Sequence, residues 1–200
     1  MKTMPGYPLT ESVTSRWHRF VGAVGLRMLV ANAAVGVLAG LAIAHVRLHL
    51  GMPGHKVLLW LTPIVAARLL ARHPLGAATG ALAAACVSLG LGGRFAGGIL
   101  LLPLIGVAGA VFDGFILFAE KRQLHGWLVV LLAGAGGLAA SLVVVLKRIL
   151  LPQFRTHIVL GVSGPPAQIL SYAFFGLLAG LVGAAAAVAV RTIRRKRSNA

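Results

Sequence analysis

Apolar positions along this chain come in long unbroken runs. They show neither the alternation of a half-buried strand nor the one-sided stripe of a soluble helix. Six such segments, at about 20–46, 56–72, 75–92, 97–119, 126–146 and 167–190, are separated by short stretches that collect Gly, Pro, His, Lys and Arg. A bilayer requires roughly 20 apolar residues per helix, and each segment is near that length. The pattern predicts an all-α integral membrane protein, a single membrane domain over residues 1–200 built as a six-transmembrane-helix bundle. The second and third segments are short and joined by His73-Pro74, which predicts a tight hairpin. Pro74 cannot continue a helix and suits the first turn of a new one.

Ala42-Ile43-Ala44 resembles a signal-peptide cleavage site. The apolar run from Phe20 to Val46 is, however, far longer than the ~7–15 residues of a signal core, so this segment is read as the first span. Composition points the same way. Hydrophobic residues make up 58% of the chain, charged residues only 11%, and mean hydropathy is +0.92. A soluble domain carries roughly a quarter charged residues.

Charge adds a direction. The three acidic residues are Glu11, Asp113 and Glu120, against 19 Lys and Arg, for a net charge of +16. The basic residues flank the apolar segments, which speaks for topology signals and contact with anionic headgroups and against nucleic acid. With the N terminus inside, the inner connections collect Lys2, Arg16, Arg19, Arg27, Arg68, Arg72, Lys121, Arg122 and the tail Arg191, Arg194, Arg195, Lys196, Arg197. The outer side keeps Arg47, Lys56, Arg94, Lys147, Arg148 and Arg155. The excess predicts both termini in the cytoplasm.

Small residues recur four apart: Gly36, Gly40 and Ala44; Gly76, Gly80 and Ala84; Gly176, Gly180 and Ala184. Each set lies on one helix face where another helix can approach closely. Packing within the bundle uses such a stripe, and so does docking of a separate membrane subunit. The outer connections, 47–56, 90–98 and 147–166, carry HLGMPGHK, GLGGRFAGG and SGPPAQ. Elaborate loops on one side predict a ligand-facing surface there.

Among single residues, Asp113 stands deep in an apolar run, about seven residues or roughly 10 Å from the inner end of its span. Arg68 lies at similar depth in the second span, so an Asp113–Arg68 ion pair is expected, with Arg27 as the competing partner. Proton or cation coupling is the chemical alternative, although a lone carboxylate is thin support for a relay. Cys86, the one cysteine, falls roughly 16 Å from the inner surface on a face shared with Thr79, Ala83 and Gly90. It is either a small hydrophobe or a soft ligand for a transition metal. His55, Lys56 and Trp60 open the second span on the outer side, where Arg94 also lies. They form either an interface anchor or a site for a polar heteroaromatic ligand.

Enzyme-like fragments are weak. Gly161-Val162-Ser163-Gly164 has the look of a rhomboid serine motif, but no histidine follows residue 157 to serve as the downstream base. Asp113-Gly114 with Ala119 and Arg122 only faintly resembles a CDP-alcohol phosphotransferase signature, which needs several carboxylates. No GxxxxGK[ST] occurs, so the chain has no P-loop of its own. The reading is a non-enzyme.

Six short spans in about 200 residues, an Ala/Gly-rich first helix, and PLGAATGALAA before an outer Gly loop resemble the S components of energy-coupling factor (ECF) vitamin transporters. The resemblance implies a bacterial cytoplasmic (inner) membrane protein that binds a vitamin from outside. It also implies a partnership with a transmembrane coupling subunit and two ATPases. Carried over by position, Gly36, Gly40 and Ala44 would form the docking stripe. Cys86 looks like the cobalt-ligating cysteine of the solitary cobalamin-specific type. On that resemblance Cys86, Trp60, Arg94, His55, Lys56, Thr79 and Gly90 would line a corrinoid site. Biotin-, thiamine- or riboflavin-like ligands are the alternatives within the family. A non-transporting membrane scaffold or assembly protein is the alternative outside it.

Overall fold

The computed structural model describes residues 23–46, 53–92, 101–150, 158–159 and 162–198. Six helices occupy the six apolar segments: α1 (Ala23–His45), α2 (Lys56–Ala71), α3 (Gly76–Gly90), α4 (Leu101–Lys121), α5 (Gly126–Leu150) and α6 (Pro165–Ser198). Two antiparallel two-residue strands, β1 (Ile158–Val159) and β2 (Val162–Ser163), lie against α6. Among the described residues, four helices are long and apolar enough to cross a membrane, over Gly25–His45, Leu102–Lys121, Gly126–Leu146 and Pro165–Ser198. Helices α2 and α3 have 16 and 15 residues, roughly 22–24 Å at 1.5 Å per residue, against a hydrocarbon core of about 30 Å.

The two short helices form the expected hairpin. Helix α2 stops because Arg72 turns left-handed, at φ 54°, and its N–H bonds back to the Arg68 carbonyl at 2.9 Å. Pro74 then bars continuation, and α3 starts at Gly76, two residues later than a first-turn proline would give. Pro63 lies inside α2, where it removes one backbone hydrogen bond and loosens the helix locally.

The helices close into a ring in the order α1, α3, α4, α5, α6, α2 and back to α1. Sequence neighbours α1 and α2 touch, but the tightest partner of α1 is α3. The reason is side-chain size. Gly36 sits on the Gly80 backbone, and a Cβ on Gly40 would come within 2.6 Å of the Ala84 carbonyl. The same device joins α5 and α6, where Gly137 faces Gly176 and Gly180. Such close backbone approach is how helices gain contact in a medium as apolar as themselves.

This corrects one expectation. Gly36 and Gly40 are buried, and the stripe they begin is occupied by the matching stripe of α3. It is therefore not a free docking surface. Large apolar side chains instead face outward, Leu38, Leu70, Phe118, Trp127 and Phe174 among them. That outward display suits lipid. The interior is filled by Leu61, Ile64, Val65, Ile105, Phe112 and Ile116, each at most 1% exposed.

Candidate functional site

The buried polar centre of the bundle is Arg68 of α2, which is 0% exposed. Its Nε donates to Asp113 Oδ1 at 2.7 Å, and its two terminal nitrogens donate to Glu120 Oε1 and Oε2 at 3.1 and 3.2 Å. The expected Asp113–Arg68 pair is thus present, while Arg27 is exposed on α1 and takes no part. Glu120 was not anticipated. It lies seven residues after Asp113, which places both carboxylates on one face of α4 two turns apart, and that spacing was the available signal.

Asp113 does more than balance charge. Its carboxylate also accepts from the backbone N–H groups of Ala77 at 3.2 Å and Ala78 at 2.9 Å. Those are first-turn amides of α3, whose N-cap Leu75 supplies no side-chain cap. Helix α4 therefore caps α3 from outside, placing an anion at the positive end of the helix. Three donors thus hold the Asp113 carboxylate in place. Asn32 of α1 closes the cluster. It packs on Gly76 and donates its Nδ2 to the Met28 carbonyl at 2.8 Å.

In the α2–α3 turn, His73 Nδ1 accepts from the Leu75 N–H at 3.3 Å. Partial burial, and then the nearby Arg68 charge, hold its pKa below the usual 6.5.

The residues expected to surround a metal-bearing ligand are not brought together. Cys86 is exposed, on the outward stripe of α3 with Leu75 and Leu82, which are 56% and 39% exposed. Thr79 spends its hydroxyl on its own helix, donating to the Leu75 carbonyl at 2.8 Å, and Gly90 faces open space. The opposite side of α3, carrying Gly76, Ala77, Gly80, Ala81, Ala84 and Ala85, packs inward because it has the smaller residues. Trp60 is buried in the core, Lys56 is exposed and His55 is half-buried. Arg94 and Glu11 lie outside the described residues. Among the described residues no group of three metal-ligating side chains occurs.

Two other places combine polar groups with apolar surroundings. At the end of the bundle where α2 begins, Ser171 of α6 donates its hydroxyl to the Pro53 carbonyl. Gly54, at φ +86°, lies on the Tyr172 ring, where a Cβ would come within 2.9 Å. Gln168 is buried beside them on the next inward turn of α6. At the opposite end, where α2 and α4 finish, a cavity of about 820 Å³ opens among α2, α4, α5 and α6. Its floor is Leu69, Ile116, Ala184 and Ala187, and Arg72, Arg191 and Arg195 stand around it with Glu120.

Among the described residues, the ring of apolar helices with its charges at the ends and in one buried cluster is that of a multi-pass membrane protein. Comparison of the chain with protein-family models, curated proteins and solved structures gives no match.

Proposed function

We propose that this chain is the membrane-embedded ligand-binding subunit of a small-molecule uptake system of the S-component kind. All six helices cross the bacterial cytoplasmic membrane in this reading, with both termini inside. The two short helices span because they are tied to α4 and enclosed by longer neighbours. The Lys and Arg excess at the end holding Arg72, Lys121 and the α6 tail supports that orientation.

One observation carries the reading. The end of the first outer connection, Pro53–Gly54, is latched onto α6 by Ser171 and Tyr172 over a buried polar patch containing Gln168, close to the start of α2. A short segment held down over polar side chains is a natural cover for a small ligand arriving from outside. Cys86 is exposed on the outward stripe of α3, which weighs against a corrinoid ligated through its cobalt. A biotin-, thiamine- or riboflavin-like molecule is the better class. A coupling subunit with two ATPases would supply energy, and it would dock on a face other than the Gly36 stripe.

The membrane-scaffold reading is favoured by the packing at Trp60 and Leu61, 3% and 0% exposed, which makes that region a solid bundle. Ligand response separates the two. Purified chain is screened for thermal stabilisation by biotin, thiamine, riboflavin and cobalamin, alongside Ser171→Ala and Gln168→Leu. Uptake predicts stabilisation by one vitamin, weakened in both variants. No response to any of them favours the scaffold.

A further inference from the structure

The cavity at the basic end has no part in the uptake reading, which places its ligand at the opposite end. Its chemistry is specific. The floor is apolar: Leu124, Val129 and Val188 present accessible surface there, with Leu69, Ile116, Ala184 and Ala187 packed behind them. The rim carries three guanidiniums, those of Arg72, Arg191 and Arg195. The one carboxylate on the rim, Glu120, has both oxygens engaged by Arg68, which Asp113 shares, so the Arg68–Asp113–Glu120 cluster sets one net negative charge against the three rim guanidiniums. Arg191 is fixed in place by donating to the Leu69 carbonyl, one of the last in α2. The rim is therefore left with a positive excess facing a lipophilic floor. Planar guanidiniums bind phosphate and carboxylate oxygens in pairs. A volume of about 820 Å³ falls in the range of roughly 300–1,000 Å³ that holds small organic ligands.

We propose that this cavity binds a small anionic amphiphile, with a phosphate or carboxylate head among Arg72, Arg191 and Arg195 and an apolar body on Leu124, Val129 and Val188. The head stays at the mouth, where water still reaches Arg72 and Arg195, both exposed. The apolar body extends toward Val188, seven residues and roughly 10 Å along α6 from Arg195. Two sources offer this chemistry: an anionic lipid of the inner leaflet, or a soluble phosphoester with an apolar group.

The test uses the full chain in detergent, with thermal unfolding as the readout. Dihexanoyl phosphatidic acid is the probe, dihexanoyl phosphatidylcholine the zwitterionic control and inorganic phosphate the head-only control. The expected result is saturable stabilisation by the phosphatidic acid alone. Arg72→Gln with Arg195→Gln should weaken it about tenfold or more, as loss of charge-assisted hydrogen bonds implies. Arg122→Gln, which removes a charge stacked over the outward Phe118 ring, should leave it intact. Ala187→Leu should block it by filling the floor. If that variant fails to fold, Val188→Ser, at a more exposed lining position, should weaken binding instead. Nanodiscs then identify the source. Loss of the response in phosphatidylglycerol discs, but not in phosphatidylcholine discs, assigns a lipid, and persistence in both assigns a soluble ligand. Equal response to phosphatidylcholine, equal response to inorganic phosphate, or unchanged binding in the double-Gln variant would each overturn the proposal.

Discussion

Replacing Arg68 by Met removes one cation and strands two anions of unequal freedom. The Glu120 side chain is 39% exposed and can swing to water. Asp113, 2% exposed, cannot, and keeps only the Ala77 and Ala78 amides. Breaking a buried pair by deleting one partner costs about 3–5 kcal/mol, because the remaining charge stays buried. The two amides and the positive end of α3 offset part of that, so the lower half of the range is expected. Asp113→Asn leaves Arg68 paired with Glu120 and loses one charge-assisted bond, about 1.5–3 kcal/mol. Glu120→Gln acts at the partly solvated side and should cost about 1 kcal/mol or less. The order of loss is therefore Arg68→Met, then Asp113→Asn, then Glu120→Gln. Equilibrium unfolding in mixed detergent, followed by Trp fluorescence, measures it. A double-mutant cycle of Arg68→Met with Asp113→Leu should also show coupling above about 0.5 kcal/mol. If Glu120→Gln cost as much as Arg68→Met, or if Arg68→Met fell within about 1 kcal/mol of wild type, the account of this cluster would be wrong.

Other outcomes follow from the same geometry. Gly36→Leu drives a side chain into the Gly80 backbone and should destabilise by about 1–3 kcal/mol or more, whereas Gly114→Ala, facing open space, should be near neutral in the same unfolding assay. Between pH 8 and 5, wild type should lose stability as pH falls through 6.5, because the unfolded chain takes up a proton at His73 before the folded chain does. His73→Asn should flatten that slope in a pH series of melting curves. Cys86 should react faster with a lipophilic maleimide than with a charged one in membranes, and Cys86→Ala should leave vitamin-induced stabilisation unchanged. Equal labelling rates would place the thiol in water.

Hydropathy located the helix ends to within four residues, because apolar runs have a characteristic length, except that α6 runs on through its basic tail to Ser198 instead of ending at 190. The starts of α2, α3 and α5 were expected at 56, 75 and 126 and are found at 56, 76 and 126. Depth along a span was legible too, and it sufficed to match Arg68 with Asp113. Rotation about the helix axis was not. Helix α3 is Ala and Gly nearly all round, so hydropathy gives it no preferred face, and only the fit of small residues against α1 decides that Cys86 points outward. For the same reason the Gly36 stripe invited a separate subunit as readily as a neighbouring helix. The capping of α3 by α4 was hidden because backbone amides leave no mark in a sequence. The basic-end cavity was hidden because its lining comes from four separate helices.

The tie between Arg68 and Asp113 spans 45 positions, and ribosomes add roughly 5–20 residues each second. For roughly 2–9 seconds the newborn second and third helices wait with a bare guanidinium and open amides, until the fourth emerges to satisfy both. The packing of that hairpin is thus provisional, and a nascent chain released before the aspartate is made should be the species that quality-control proteases find first.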